Sequence, residues 1–443
     1  MSSNKTIAKN TLFLYFRMVL VMGVTLYTSR IVLRELGVSD YGIYSVIGGF
    51  IALFGVFDSS MSAATQRYLS YDIGKGNIEQ LKKTFSCSLT IIIGIAFLVL
   101  LLAETVGLWY VNYKMIYPPE RSFAVKIVYQ ISIFTALVGI IQVPYNALII
   151  AREDMSVYAY ISFAEVSLKL IIVFLLVYFG SDKLITYSIL YFCVTVIVRL
   201  YYQYYCRKNY KESIFTFVKD RNYYNELIGY SGWNLFGNVA YVARGQGGNM
   251  VLNLFFGTIA NAAYGITLQI QGAVSLFINN FQLAANPQII KLYAQQDSAK
   301  MQHLINQVSK FSFYLSFLLV APFFFNINLI LELWLVHPPR YSALLSRISL
   351  LCVLIDSISG PLMTGIQATG KIKAYQMVVG CLVFLNLPIS YLLFKLDVFQ
   401  SPEVVFYVWL SISFLALAFR LYFLRKTQGF QLAIFVKRVL FRI

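Results

Sequence analysis

One stretch of sequence that joins two apolar segments occurs twice in this chain, at residues 30–54 and again at 249–277. After a four-residue insertion in the second copy, Tyr-Gly-Ile at 41–43 aligns with Tyr-Gly-Ile at 264–266. Solenoid repeats recur every 20 to 50 residues or so, and a spacing of over 200 residues is too long for that architecture. The repeat therefore predicts two homologous halves.

The two halves match a second time, where residues 143–158 align with residues 360–375. The identical pairs in this alignment are Pro144/Pro361, Ile149/Ile366, Ala151/Ala368 and Tyr158/Tyr375. Because the offset between the copies stays near 220 residues throughout, both halves should carry the same helices in the same order. Duplicated helical bundles of this kind are typical of membrane transporters.

Apolar segments long enough to cross a bilayer recur along the whole chain, of which 59% is hydrophobic and only 12% charged. A spanning helix needs about 20 predominantly apolar residues. The pattern predicts an all-α polytopic membrane protein, with about 12 transmembrane helices in two homologous six-helix bundles around a central cavity. The predicted helices lie near 10–34, 40–67, 84–108, 124–150, 157–179, 184–205, 227–255, 259–285, 308–333, 342–367, 375–394 and 403–424.

The predicted helices divide the chain into an N-terminal lobe (1–205), a connector (206–226), a C-terminal lobe (227–424) and a basic tail (425–443). With the N-terminus in the cytoplasm, the cytoplasmic segments hold 22 lysines and arginines against 8 on the other side. This bias predicts that both termini are cytoplasmic. The first apolar segment contains Arg17 and no small-residue cleavage site follows it, so we expect a retained helix.

The connector and the tail combine basic with apolar and aromatic residues, and each is expected to form a helix in the anionic lipid interface. Membrane lipids are therefore expected partners. The net charge of +17 also raises the possibility of nucleic-acid binding. That class is excluded, since the charge is distributed as the positive-inside rule requires.

The residues that commonly carry chemistry are sparse and scattered. The five cysteines have no metal-ligand spacing and are expected to be free thiols, and two histidines are too few for a metal site. No nucleophile motif, phosphate-binding loop or HExxH sequence occurs. We therefore expect no enzymatic activity and no cofactor, and a transporter would be driven by protons, sodium ions or the membrane potential.

Cationic residues inside the predicted spans are the most informative feature for function. A charge at mid-bilayer costs about 2.5–3.5 kcal/mol, so most of these residues must face a partner or a hydrated cavity. Arg17 and Arg244 are the strongest candidates, being deep and without a carboxylate at helical spacing. Arg420, near a helix end, is expected to extend to the interface. The candidate substrate-binding cations are Arg17, Arg30, Lys169, Arg199, Arg244 and Arg347.

Three acidic residues lie inside the predicted spans at some depth: Asp58, Glu165 and Asp356. Glu165 is one helical turn before Lys169 and can neutralise it. Asp58 and Asp356 either pair with arginines, which we favour, or take up a proton or sodium ion during transport. The seventh and eighth helices are also rich in asparagine and glutamine, which would suit a wet passage for sugar hydroxyls.

The opening sequence NTLFLYFRMVLVMGVTLYTSRIVLRELGVSDYGIYSVIGGF, followed by SAATQRYLSYDIGKGN, resembles bacterial Wzx-type oligosaccharide-lipid flippases. These belong to the multidrug/oligosaccharidyl-lipid/polysaccharide exporter (MOP) superfamily, and the resemblance covers essentially the full length. It implies two lobes around a cavity that opens alternately to the two sides. It also implies an undecaprenyl-pyrophosphate-linked oligosaccharide as cargo, moved outward for assembly of O-antigen, lipopolysaccharide or another surface polysaccharide. Glycosyltransferases and a polysaccharide polymerase would then act in the same pathway.

Two other functions were weighed against this one. A multidrug exporter of the same superfamily would need carboxylates in its lumen for cationic drugs, whereas cations outnumber deep carboxylates here. A membrane glycan polymerase would need a substantial outer loop carrying catalytic groups, and the longest one, near 109–123, is short. The sugar composition of the cargo and the coupling ion stay open.

Overall fold

The computed structural model describes residues 3–52, 54–113, 115, 117–178, 182–335 and 338–442, and within these ranges every regular element is a helix. The side chains of several helical residues, Arg30 among them, lie outside the described set. The α-helices are α1 Ser3–Ala52, α2 Gly55–Lys75, α3 Ile78–Leu102, α4 Leu108–Tyr113, α5 Ser122–Ala151, α6 Met155–Tyr178, α7 Lys183–Asn209, α8 Arg221–Ala294, α9 Ser298–Phe325, α10 Ile327–Leu335, α11 Ser342–Ala368, α12 Lys373–Phe384, α13 Asn386–Lys395, α14 Val404–Gln428 and α15 Leu432–Arg438. A π-helical turn, Ala103–Gly107, joins α3 to α4, and 3₁₀ turns lie at Pro119–Arg121, Lys211–Ser213 and Leu440–Arg442.

Helices α1 and α8 each consist of two helical segments, the first and second arms, joined by a bend. Each bend lies at a glycine within the repeated stretch. In α1 the bend is at Gly37 (φ 75°, ψ 167°), and in α8 it is at Gly257 (φ 71°, ψ −164°). A side chain is excluded from this backbone region, so only glycine adopts it readily. The same conformation at the same place in both halves supports the sequence repeat.

Each predicted span falls on an observed helix or helix pair, apart from single turn or bend residues such as Asn326 and Leu385 between paired helices. Among the described residues, nine helices are long and apolar enough to cross a membrane. The predicted segments 40–67, 227–255 and 259–285 are not among those nine. In 227–255 and 259–285 many asparagines and glutamines lower the mean hydropathy, which is expected of spans that contact polar groups.

The chain separates into two compact units, Met1–Ser231 and Gly232–Ile443. In the first, α5 packs against α2, α3 and α7; in the second, α11 packs against α9 and α14. Helices α5 and α11 are the fourth spans of their halves, and each carries a buried proline, Pro144 or Pro361. Equivalent helices therefore occupy the centre of each unit and make equivalent contacts.

The connector differs from the expected interfacial helix. Residues 214–220 are not helical, and the segment is fastened to the first unit. Arg152 Nε donates to Glu212 Oε1 at 2.8 Å, and the Glu212 residue is only 3% exposed. Lys83 Nζ lies 2.6 Å from Asp220 Oδ2. Hydrogen bonds and ion pairs to the protein thus replace the lipid contacts that composition alone predicted.

The basic tail forms the short helix α15, but two apolar residues of this segment face the protein. Phe435 and Val439 are completely buried, and the Tyr314 hydroxyl donates to the Arg442 carbonyl at 2.8 Å. The expected helix is therefore present. Two apolar side chains of the tail, Phe435 and Val439, are buried in the protein and are not available to lipid, whereas Phe441 is exposed.

Candidate substrate-binding site

Arg17 lies on the first arm of α1 and is held by side chains of α6. Its Nε donates to Ser162 Oγ at 2.7 Å, and its guanidinium lies 4.5 Å from the centre of the Tyr158 ring. None of the ion pairs among the described residues includes Arg17. The side chain is only partly buried. Its charge is therefore stabilised by a ring and a hydroxyl rather than by a carboxylate, and can still attract an anion.

Arg244 lies on the first arm of α8 and is 6% exposed. Its guanidinium lies 3.7 Å from the ring centre of Trp409 on α14 and 4.9 Å from that of Tyr241. Cation–π contacts of this kind contribute about 0.5–2 kcal/mol each. Among the described residues, Nε of Arg244 is a buried donor without an acceptor. Such a donor is costly to bury and indicates a position where an acceptor can bind.

Arg420 on α14 does not extend to the interface as expected, because two tyrosines bind it inside the second unit. The residue is 3% exposed; Nη2 donates to the Tyr241 hydroxyl at 2.6 Å and Nε to the Tyr375 hydroxyl at 3.3 Å. Nη1 has no hydrogen-bond partner in the described part of the chain. Tyr241 contacts both Arg244 and Arg420, so the second unit contains a linked pair of buried arginines.

The sequence had no signal that singled out Arg420 or its tyrosine partners. Tyr241 and Tyr375 lie 179 and 45 positions away in the chain. Only the packing of α8, α12 and α14 brings them together. The repeat did offer one hint, since Tyr375 aligns with Tyr158, the ring that contacts Arg17 in the first half. Equivalent tyrosines thus contact an arginine in both halves.

The other candidate cations have local partners. Lys169 Nζ lies 2.6 Å from Glu165 Oε1 and 4.8 Å from the Tyr191 ring centre, so the predicted turn-to-turn pair is formed. Arg199 donates to Gln203 Oε1 at 2.7 Å on the same helix.

Arg347 likewise uses a protein acceptor, since its Nε donates to the Phe324 carbonyl at 3.2 Å. The bend of the chain after α9 supplies this carbonyl at the end of the helix. The Arg30 side chain is outside the described residues.

The arginine pairs that we favoured for Asp58 and Asp356 are absent from the described residues. Asp58 Oδ1 is buried without a hydrogen-bond partner. Asp356 instead lines a cavity of about 70 Å³ in the second unit, together with Gln271, Asn279 and Gln282. Asp356 interacts electrostatically with Arg420, but the two form no direct ion pair among the described residues.

A second cavity, of about 230 Å³, lies in the first unit between the second arm of α1, α5 and α7. Its lining is mostly apolar but includes five residues that carry hydroxyls, Tyr44, Ser132, Thr135, Ser188 and Tyr191. Because Tyr191 also contacts Lys169, a cationic group lies beside this cavity. The first unit therefore offers hydroxyls, and the second offers amides and one carboxylate, as contacts for a polar ligand.

Two protein-family models match the chain. The family model described as polysaccharide biosynthesis protein matches residues 7–293, which is more than half of the chain. The chain belongs to this family. The MatE family model matches residues 235–392, mostly in the second half. No curated protein matches the chain.

Solved structures with the same fold cover nearly the whole chain. An outward-facing multidrug resistance MATE family transporter of the MOP superfamily is 10% identical, with a TM-score of 0.82 over 97% of this chain and 98% of its own. A MOP superfamily transporter from Pyrococcus furiosus, described as having a binding pocket of reverse polarity, is 10% identical, with a TM-score of 0.79 and the same coverage. Family and fold together are those of a multi-pass membrane transporter of the MOP superfamily.

Proposed function

We propose that this protein is a flippase that moves an undecaprenyl-pyrophosphate-linked oligosaccharide from the cytoplasmic to the periplasmic leaflet by alternating access. The observation that carries the proposal is the set of membrane-embedded arginines that form no direct ion pair with a carboxylate among the described residues. These are Arg17 in the first unit and Arg244 with Arg420 in the second. The family match to polysaccharide biosynthesis proteins supports the same cargo class.

The pyrophosphate would provide the acceptors that these arginines lack. Arg244 Nε and Arg420 Nη1 are buried donors without partners among the described residues, and hydrogen bonds from guanidinium to phosphate are among the strongest in proteins. The hydroxyl-lined and amide-lined cavities would contact the sugars, while the polyprenyl tail stays in lipid. An outward-moving dianion also gains about 4.6 kcal/mol per 100 mV of inside-negative potential.

Asp356 is the proposed site of ion coupling in the second unit. It shares its cavity with Gln271 and Asn279, whose amide oxygens, like the carboxylate, are ligands that a sodium ion accepts. Protonation of Asp356 would serve equally well, and the membrane potential alone can drive the step. The proposal places the protein in a bacterial inner membrane, with both termini cytoplasmic and beside the glycosyltransferases and polymerase of its pathway.

The test combines flipping in proteoliposomes with surface polysaccharide on cells. Arg17→Ala and Arg244→Ala should each reduce flipping by about tenfold or more, since each removes a charge-assisted contact to phosphate. Lysine at either position should restore part of the rate, because it keeps the charge but loses the forked geometry. Arg207→Ala, which removes an exposed arginine at the end of α7, is the matched control. Normal flipping in well-folded Arg17→Ala and Arg244→Ala variants would refute the proposed anion site.

A multidrug exporter is the second candidate, favoured by the MatE match over residues 235–392. Deletion of the gene distinguishes the two. Loss of surface polysaccharide, with lipid-linked oligosaccharide accumulating in the inner leaflet, supports the flippase. Unchanged polysaccharide together with new sensitivity to cationic drugs supports the exporter.

A further inference from the structure

A polar cleft that the transport proposal does not use lies between the first turns of α9 and the C-terminal tail. It comprises two adjoining cavities of about 360 and 330 Å³ that share His303, Asn306 and Arg438. Lys310 and Arg442 line the second cavity as well. No aspartate or glutamate lines either cavity. The cleft therefore presents a concentration of positive charge with no acidic residue on its walls.

Asp297, the residue just before Ser298 on the cleft wall, already has partners. Asp297 caps α9 by accepting from the Lys300 backbone N–H at 3.1 Å, and its other oxygen lies 2.7 Å from Lys300 Nζ. Asp297 therefore does not balance the positive charges of Lys310, Arg438 and Arg442. In the part of the chain that the structure describes, none of these three belongs to an ion pair. An anion is thus the ligand type that the cleft favours.

Asn306 gives a second and independent indication of which groups the ligand must carry. The residue is 8% exposed, lines both cavities, and its Oδ1 has no hydrogen-bond donor among the described residues. Buried amide oxygens are nearly always satisfied in native proteins. The phosphodiester of a lipid has no proton to donate to this oxygen, so a phosphodiester with a neighbouring hydroxyl is needed to satisfy both the oxygen and the cations.

The face of α9 that borders the cleft continues as an apolar surface. His303, Asn306, Lys310, Tyr314 and Phe317 follow one another at helical spacing and lie on one side of the helix. Tyr314 and Phe317 are 40% and 53% exposed. At about 1.5 Å per residue, the aromatic part begins roughly 10–15 Å along the axis from the polar part. A phospholipid matches this arrangement, because its anionic headgroup is joined to apolar acyl chains.

The cleft has a defined shape, because the C-terminal tail that forms one of its walls is held in place by several contacts. Phe435 and Val439 are fully buried, and the Gln431 N–H donates to Gln302 Oε1 at 3.2 Å. We propose that this cleft binds the headgroup of an anionic phospholipid with a hydroxylated headgroup, phosphatidylglycerol being the simplest example. The acyl chains would lie along Tyr314 and Phe317.

The experiment uses the full-length protein, purified in detergent and stripped of lipid, titrated with phosphatidylglycerol and followed by native mass spectrometry and thermal unfolding. The Lys310→Ala/Arg438→Ala variant should bind phosphatidylglycerol about tenfold or more weakly, because two charged contacts to phosphate are lost. The control is Arg425→Ala/Lys426→Ala, which removes the same charge from the exposed end of α14 and should bind like wild type.

Three further measurements make the proposal refutable. Asn306→Leu, which keeps the size but removes the acceptor, should weaken binding even if the double variant folds poorly. Phosphatidylethanolamine should bind less well than phosphatidylglycerol, since its ammonium opposes the basic residues. Glycerol 1-phosphate tests the free headgroup. The proposal is overturned if glycerol 1-phosphate binds as tightly as phosphatidylglycerol. It is also overturned if the two double variants bind phosphatidylglycerol equally well, or if the wild-type protein does not bind it.

Discussion

At the scale of single residues, aromatic rings perform the task that carboxylates perform in soluble proteins. Arg17, Arg199 and Arg244 each lie within 5 Å of the centre of a tyrosine or tryptophan ring. A ring stabilises a cation without cancelling its charge. The protein can therefore keep positive charge at depth and still offer it to an anionic ligand.

Tyr241 is the residue whose loss should separate the two buried arginines most cleanly. In Tyr241→Phe the ring under Arg244 remains, but Arg420 Nη2 loses its acceptor. We expect destabilisation by about 1–3 kcal/mol, the cost of leaving a buried donor unsatisfied. Thermal unfolding in detergent measures it. Tyr407→Phe, at an exposed position of α14, is the control and should unfold like wild type. Equal effects of the two substitutions would contradict the assignment.

Asp182 predicts how stability depends on pH. Burial raises its pKa, but hydrogen bonds from Arg121 and from the backbone N–H of Ile185 outweigh burial and leave the pKa lowered. Because a lowered pKa stabilises the fold only while the group is ionised, this stability is present above pH 4 or so and is lost as the pH falls further. Asp182→Asn keeps a helix-capping side chain and removes the charge.

The expected result is a lower unfolding temperature for Asp182→Asn at pH 7, corresponding to about 1 kcal/mol. The difference from wild type should shrink progressively as the pH falls below about 4 toward the lowered pKa of Asp182, since the aspartate of the wild type then becomes protonated. A difference that persists unchanged over that pH range would show that Asp182 stabilises α7 by capping geometry alone.

At the scale of helices, the glycine bends in α1 and α8 are the most sensitive points. Gly37→Ala and Gly257→Ala should each destabilise by about 1–3 kcal/mol, since alanine cannot adopt this backbone conformation without strain. No described atom lies within 4 Å of either added Cβ, so the cost is purely conformational.

Gly272→Ala is the matched control for these bends, because Gly272 lies within α8 and has the same open surroundings. It should be neutral or stabilising by about 0.5–1 kcal/mol, as expected for replacing glycine inside a helix. Thermal unfolding compares the three variants. Destabilisation of the control to the same extent would remove the conformational explanation.

The connector offers a second test at this scale. Arg152→Ala should leave the buried carboxylate of Glu212 without its partner, at a cost of about 3–5 kcal/mol. Hydrogen exchange of residues 210–220 should then accelerate. Glu212→Gln removes the charge without leaving an unpaired one, and should have a smaller effect. If exchange in this segment is unchanged in Arg152→Ala, the ion pair does not fasten the connector.

Much of the helical framework could be predicted because hydropathy and period are local properties. The segments predicted near 124–150 and 342–367 end within a few residues of α5 and α11. Tertiary partners could not be predicted. Arg420 is near a helix end in sequence, and only the positions of Tyr241 and Tyr375 decide that it stays buried. The connector and the tail were assigned to lipid because composition cannot distinguish a lipid surface from a protein surface.

At the scale of the whole molecule, the even number of spans in each half predicts the topology. Each half should begin and end on the cytoplasmic side. Cysteines introduced at exposed Lys5 and at exposed Arg442, in a background without the five native cysteines, should react with a membrane-impermeant reagent only in inverted vesicles. Labelling of either position in intact spheroplasts would contradict the orientation. A cysteine at Glu120 should give the opposite result.

The paired bends at Gly37 and Gly257 also bear on how such a chain arose. A glycine-only conformation is unlikely to be acquired twice at the same place, so the bend predates the doubling of the gene. The ancestor was then a six-helix protein whose two ends lay on the same side of the membrane. Two copies of it could be fused head to tail by a short linker, with neither copy having to invert.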